Sequence, residues 1–236
     1  MPLVYQQNIN LTTKLGVWHI AETEVFFLHA VPLQTEITHP HKRLQHLAGR
    51  YLLKELYPGF PYELIRIADT RKPFLENEAY HFSISHSGHY AAVIVSTGSR
   101  VGVDVEMVTA KVHKVKHKFL SDKELQMITA VMDRQLANAK EKIFNDQPYL
   151  TAGRYSIIND QLITVAWSIK ESLFKWQGSS EVDFKRHLRI ENIFFKDNEG
   201  IAHCKFLKGT PIALQVHFLL FNNNCISWLV SDEKIR

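Results

Sequence analysis

Three short segments carry residue types at spacings that can do chemistry. The first is Arg100-Val101-Gly102-Val103-Asp104-Val105-Glu106. Residues two apart in a strand share a face. The valines therefore point one way, and Gly102, Asp104 and Glu106 the other. Two carboxylates on one face repel unless a cation lies between them. Hard oxygen donors of this kind suit magnesium, which takes one or two protein carboxylates together with substrate phosphates. Gly102 leaves room for a ligand or a second backbone to come close. The alternative is a half-exposed strand whose outer face is acidic.

The second segment, Trp167-Ser168-Ile169-Lys170-Glu171-Ser172-Leu173-Phe174-Lys175-Trp176, reads as an amphipathic helix. Ile169, Leu173 and Trp176 make one apolar stripe. Glu171 and Lys175 stand four apart and share another side. Either they form a surface ion pair, or Glu171 is a third magnesium ligand and Lys175 contacts phosphate. The third segment, Phe82-Ser83-Ile84-Ser85-His86-Ser87-Gly88, ends a strand with hydroxyls and an imidazole. Turn N–H groups and hydroxyls can cradle an anion. A serine hydrolase is disfavoured, because G-x-S-x-G is absent and neighbouring strand residues point apart. A structural turn histidine is the plainer reading of His86.

The elements that must position these residues follow from periodicity. Val17 to Leu28 reads as strands. Thr38 and Pro40 open a helix with Leu44, Leu47, Ala48, Tyr51, Leu52 and Leu56 on one face. Lys42, Arg43, His46 and Arg50 mark its other face, and Pro58-Gly59 stops it. Phe82–Ser85, Tyr90–Ser96 and Arg100–Glu106 read as a short antiparallel meander. The capping box Ser121-Asp122-Lys123-Glu124 predicts a helix to about Gln135. Ala137 to Ile163 carries charges, Pro148 and Gly153, and is expected to be loop or insertion. A helix over Trp167–Gln177, ended by Gly178, leads to four strands: Leu188–Phe195, Ile201–Leu207, Ile212–Phe221 and Cys225–Val230. Helix plus meander occurs twice. The expectation is an α+β protein of two similar α/β halves with pseudo-twofold symmetry, 1–108 and 109–236. Each half would be a small, mainly antiparallel sheet packed on a long helix.

The chain has 236 residues, 45% hydrophobic and 22% charged, which predicts a packed core rather than disorder. Its net charge of +4 is too weak to argue for nucleic acid, yet suits phosphates or an acidic partner. Two cysteines, Cys204 and Cys225, do not make a disulfide scaffold and fit a reducing cytosol. The start, MPLVYQQNIN, lacks the features of a signal peptide. The apolar run Ile212–Phe221 is too short to span a bilayer. A cytoplasmic location with no membrane association is therefore the expectation.

Taken in order, the three segments resemble the 4'-phosphopantetheinyl transferase superfamily, in its surfactin-synthetase-activating type. The family pattern is a Ser-His-Ser turn, then Gly-(Ile/Val)-Asp-(Ile/Val)-Glu, then Trp-(Ser/Thr)-x-Lys-Glu-(Ala/Ser)-x-x-Lys. Here these are Ser85-His86-Ser87, Gly102 to Glu106, and Trp167 to Lys175. Arg71-Lys72-Pro73 is similar to the family's Gly-Lys-Pro element, with Arg71 in place of the glycine. Leu47-Ala48-Gly49-Arg50 is similar to its first-helix signature, and Phe119 to Glu124 to the segment after the acidic strand. The likeness spans about residues 42–178. The stretch between Glu106 and Glu171 is longer than the family pattern.

The resemblance implies one magnesium ion held by Asp104, Glu106 and Glu171 against the diphosphate of coenzyme A. The phosphopantetheine arm would pass to a serine of an apo acyl or peptidyl carrier protein, releasing adenosine 3',5'-bisphosphate. Glu171 or a metal-bound water would take the serine proton, and Lys175 would assist the leaving phosphate. Lys170 would position the helix or the phosphates. Ser85 and His86 would contact a coenzyme A phosphate, Lys72 the adenosine end, and Arg43 the 3'-phosphate, with Arg50 structural. The basic run Lys111 to Lys118 is either a solvated face or a steering patch for acidic carriers. The surfactin-type relatives imply a monomer. Competing readings are a non-catalytic coenzyme A or carrier-binding module, a magnesium-dependent nucleotide phosphohydrolase and a nucleic-acid binder. The last lacks any recognisable binding motif.

Overall fold

A computed structural model describes residues 2–33, 36–68, 72–143, 152–178 and 181–233. In chain order the strands are β1 (Leu3–Asn8), β2 (Thr13–His19), β3 (Arg66–Ile67), β4 (Pro73–Phe74), β5 (His81–Ser87), β6 (Tyr90–Ser96), β7 (Arg100–Met107), β8 (Leu188–Lys196), β9 (Glu199–Phe206), β10 (Ile212–Phe221) and β11 (Asn224–Ser231). The helices are α1 (Glu24–Leu28), α2 (Pro40–Leu56), α3 (Lys116–Phe119), α4 (Asp122–Ile143) and α5 (Ala152–Gln177).

Two antiparallel sheets organise the molecule. The first has the order β1-β2-β6-β5 and the second β7-β11-β10-β9-β8. Alternation along each strand assigns its two faces. Ala91, Val93 and Val95 of β6 meet Leu47, Leu52, Leu53 and Leu56 of α2, while Ala92 and Ile94 turn to the second sheet. There they join Val101, Val103 and Val105 of β7 and Ile226 and Trp228 of β11. On the far side of the second sheet lie Ile169, Leu173 and Trp176 of α5 with Ile128, Val131 and Met132 of α4. The layers thus run α2, sheet, sheet, α4 and α5. The α+β class and the antiparallel sheets with packed helices agree with the sequence.

Local chemistry explains the helix that opens the first half. Pro40 takes the first helical position, where its missing N–H costs nothing, and the His39 imidazole accepts from the Lys42 N–H. In the second half, Ser121 and Glu124 form the expected capping box. The Ser121 Oγ accepts from the Glu124 N–H, and Glu124 Oε2 accepts from the Ser121 N–H at 2.7 Å.

Four expectations change. The segment Val17 to Leu28 is a strand only as far as His19; Glu24–Leu28 is a short helix. Its run Val25 to Leu28 is too short for periodicity to decide, and only Phe27 is buried. Strand β1 adds an edge that no sequence signal marked. The expected meander divides: β5 and β6 pair, whereas β7 is hydrogen-bonded to β11, in the sheet of the C-terminal half. The stretch Ala137 to Ile163 is mostly helical where it is described. Helix α4 continues to Ile143, and α5 begins at Ala152 and runs for 26 residues. Leu162, Ile163, Val165 and Ala166 are all buried, so this part of α5 has no polar stripe to betray a helical period. Pro148 lies outside the described residues, as does Arg71.

Candidate active site

The acidic strand is held between β5 on one edge and α5 on one face. Helix α5 comes so close to β7 that a Cβ on Gly102 would stand 2.1 Å from the Ser172 carbonyl oxygen. The bare glycine is what lets the helix reach the strand; the second of the two sequence readings, a close backbone, is the one realised. On the other edge, alternate serines of β5 face β7. The Ser83 Oγ accepts from the Val103 N–H at 3.2 Å, and the Ser87 Oγ accepts from the Met107 N–H at 3.2 Å. Between them, Ser85 donates to Asp104 Oδ1 at 2.8 Å. Side-chain hydroxyls thus join two sheet edges that share no backbone ladder.

Asp104 is 2% exposed. Its Oδ1 also receives the Lys175 ammonium at 2.6 Å, and that Nζ lies 2.8 Å from Ser85 Oγ. The Asp104 Oδ2 is buried without a protein partner. Burial, followed by the Asp104 and Glu106 charges, pushes Glu171 up to about 7, against the opposing pull of Lys175. Glu106 is likewise raised, by burial first and then by Asp104. Hydrogen bonds from Trp167 Nε1 at 3.2 Å and Ser87 Oγ at 3.2 Å oppose that rise. Three carboxylates and one ammonium therefore share a half-buried space, with negative charge in excess.

These residues fit a hard cation. They offer carboxylate oxygens alone, one of them orphaned, and their mutual repulsion falls when positive charge enters. Among the described residues no three His, Cys, Asp or Glu side chains already stand as a ready chelate.

Next to the carboxylates lies a cavity of about 170 Å³, lined by Lys72, Phe82, Ile84, Glu171, Lys175 and Gly178 among others. Lys72 donates to the Trp176 carbonyl at 3.4 Å. Burial, then Arg100, pushes its pKa down to about 8. Gly178 ends α5 with φ +77, and its missing Cβ would have met Lys72 Nζ at 3.0 Å. One residue thus stops the helix and admits the lysine.

Ser85 and His86 part company, as adjacent strand residues do. Ser85 joins Asp104 and Lys175. His86 is exposed and electrostatically coupled to His46 of α2. His46 accepts from Arg50 Nη1 at 3.2 Å. Burial holds Arg50 down to about 10 and His46 to about 4. Arg50 is 8% exposed, its Nε has no partner, and among the described residues no carboxylate pairs with it. Arg50, read from sequence as structural, is a buried cation whose one described side-chain partner is His46.

Two expected site residues stand elsewhere. Arg43 is tied to Glu24 at 2.8 Å and to the Ile37 carbonyl at 2.8 Å, which fastens α1 to α2. Lys170 is wholly buried on a different face of α5 from Glu171. Its ammonium meets Glu124 at 2.8 Å, the Phe119 carbonyl at 2.5 Å and the Phe184 carbonyl at 2.9 Å. Three partners use its three hydrogens. Of the two expected roles for Lys170, positioning the helix or the phosphates, these contacts match the first, as a clamp between α4 and α5. Sequence reasoning gave no role to Ser83, Ser87 or Trp167, although the alternation of Ser83, Ser85 and Ser87 is a strand-face signal.

No curated protein matches the chain. Among protein families, residues 100–227 match the 4'-phosphopantetheinyl transferase superfamily. The match runs from β7 into β11, covers more than half of the chain, and includes Asp104, Glu106, Glu171 and Lys175. On that match the chain belongs to the 4'-phosphopantetheinyl transferase superfamily.

Proposed function

We propose that the protein moves the phosphopantetheine arm of coenzyme A onto a serine hydroxyl of an apo acyl or peptidyl carrier protein. A new bond forms between the serine oxygen and the phosphorus that bears pantetheine. The bond from that phosphorus to the bridging oxygen breaks, and adenosine 3',5'-bisphosphate leaves. The observation that carries this reading is the Asp104–Lys175 ion pair beside the 170 Å³ cavity, with Glu106 and Glu171 close enough to feel both charges.

Asp104, Glu106 and Glu171 would hold magnesium, which when bound supplies charge neutralisation and orientation at the phosphorus under attack. Glu171, which lines the cavity beside Lys175, would accept the serine proton. Lys175 and Lys72 line one cavity and place ammonium groups where charge develops on the leaving phosphate. Arg50 offers a second cation for the remaining phosphate, and His86, held neutral by desolvation and then by Lys175, offers a ring nitrogen beside it. Arg43 is the weaker candidate for that role, because Glu24 already neutralises it.

The exposed lysines Lys111, Lys114 and Lys118 follow β7 directly, and His113 is pinned to Asp160 of α5 at 2.7 Å. Their position at the mouth of the acidic strand supports steering of an acidic carrier. Mass spectrometry of an apo carrier protein incubated with this protein, coenzyme A and magnesium tests the reading. A gain equal to phosphopantetheine is expected. Hydrolysis of coenzyme A without an adduct would point to a phosphohydrolase, and binding without turnover to a non-catalytic module.

A further inference from the structure

Glu106 has a protein donor on each carboxylate oxygen: Ser87 Oγ on Oε2 and Trp167 Nε1 on Oε1, both at 3.2 Å. The donors come from different layers, β5 and α5. The terminal torsion of a glutamate is broad and roughly two-fold, so a lone Glu106 carboxylate would swing. Two donors from separate elements remove that freedom. The indole is itself fixed. Phe184 stacks on it at 5.6 Å and 20°, and Phe119 meets it edge-on at 4.9 Å and 66°. An indole N–H can only donate, so its one hydrogen bond has a single sense. Trp167 also precedes Glu171 by four residues on α5, which makes one helix face supply both a carboxylate and the donor to another.

Resting on the function proposed above, we propose that Trp167 is a positioning residue: its N–H sets the plane of the Glu106 carboxylate for cation binding. A residue wanted only for packing would serve as well without the N–H. Trp167→Phe separates the two roles, since it keeps an aromatic ring between Phe184 and Phe119 and removes the donor.

The test is Mn2+ binding in the presence of coenzyme A, read from the electron paramagnetic resonance signal of free Mn2+. Trp167→Phe should weaken Mn2+ about 10-fold, the lower end for loss of a group that orients a metal ligand. Its thermal midpoint and its affinity for coenzyme A without metal should stay at wild-type values. Wild-type Mn2+ affinity in this variant would overturn the proposal. If Trp167→Phe does not fold, Phe184→Leu loosens the stacked indole instead. A loss of Mn2+ affinity there supports the proposal, and an unchanged affinity overturns it. Wild-type protein that binds no Mn2+ would overturn the magnesium reading beneath it as well, which distinguishes the two failures.

Discussion

At the scale of single residues, the site is a problem in charge. Glu171 is driven up to about 7 from its ordinary 4.5, so the folded protein binds a proton there that the unfolded chain has released. Stability from this group is complete below about pH 4.5 and is lost as pH rises towards 7. In metal-free protein the thermal midpoint should therefore fall across that window, and Glu171→Gln should flatten the fall. Added magnesium should raise the midpoint of the wild type above pH 7 and leave Glu171→Gln less affected, by calorimetry. Asp104→Ala removes the partner of Lys175 and the orphaned oxygen; transfer should drop at least about 10-fold, the smaller end for disturbing a metal site. Asp104, Glu106 and Glu171 were legible because strand and helix periods put carboxylates on faces. Arg50 and Lys170 were not. Both are cations on helices, and sequence cannot say which cation is buried beside a carboxylate and which is left without one.

At the scale of elements, the close approach of α5 to β7 sets the distance between Lys175 and Asp104. Gly102→Ala places a methyl against the Ser172 carbonyl and must push the helix away. A loss of about 3 kcal/mol is expected by urea unfolding, with transfer falling more than coenzyme A affinity. Lys170→Met leaves Glu124 buried without its counter-charge, under the capping box that starts α4. Unfolding should show a loss of about 3–5 kcal/mol, while the affinity for coenzyme A stays near wild type. An equal loss of coenzyme A affinity would return Lys170 to the phosphate site. The strands after Gly178 were readable from their turns and alternation. The middle of α5 was not, because Leu162 to Ala166 are all buried and show no polar stripe. Nor does any local signal say that β7 leaves the β5–β6 hairpin to pair with β11, since that choice is made by contacts far apart in the chain.

At the scale of the whole molecule, layered sheets bring residues from the Ser-His strand, the acidic strand and the Trp-Ser-x-Lys-Glu helix to one place, and leave a basic surface after β7. Reversing Lys111, Lys114 and Lys118 to Glu should raise the KM for an acidic carrier about 10-fold through slower association, with the KM for coenzyme A unchanged. Wild-type activity should also fall with added salt, and the variant should lose that dependence. The order of the three motifs was visible in the chain, but their convergence needed the fold. The most direct test of that convergence is a crystal structure with coenzyme A and Mn2+, located by anomalous scattering. The account predicts manganese between the diphosphate and the carboxylates of Asp104, Glu106 and Glu171, with Lys175 turned to phosphate. A diphosphate bound elsewhere, with those three side chains apart and no metal among them, would contradict it.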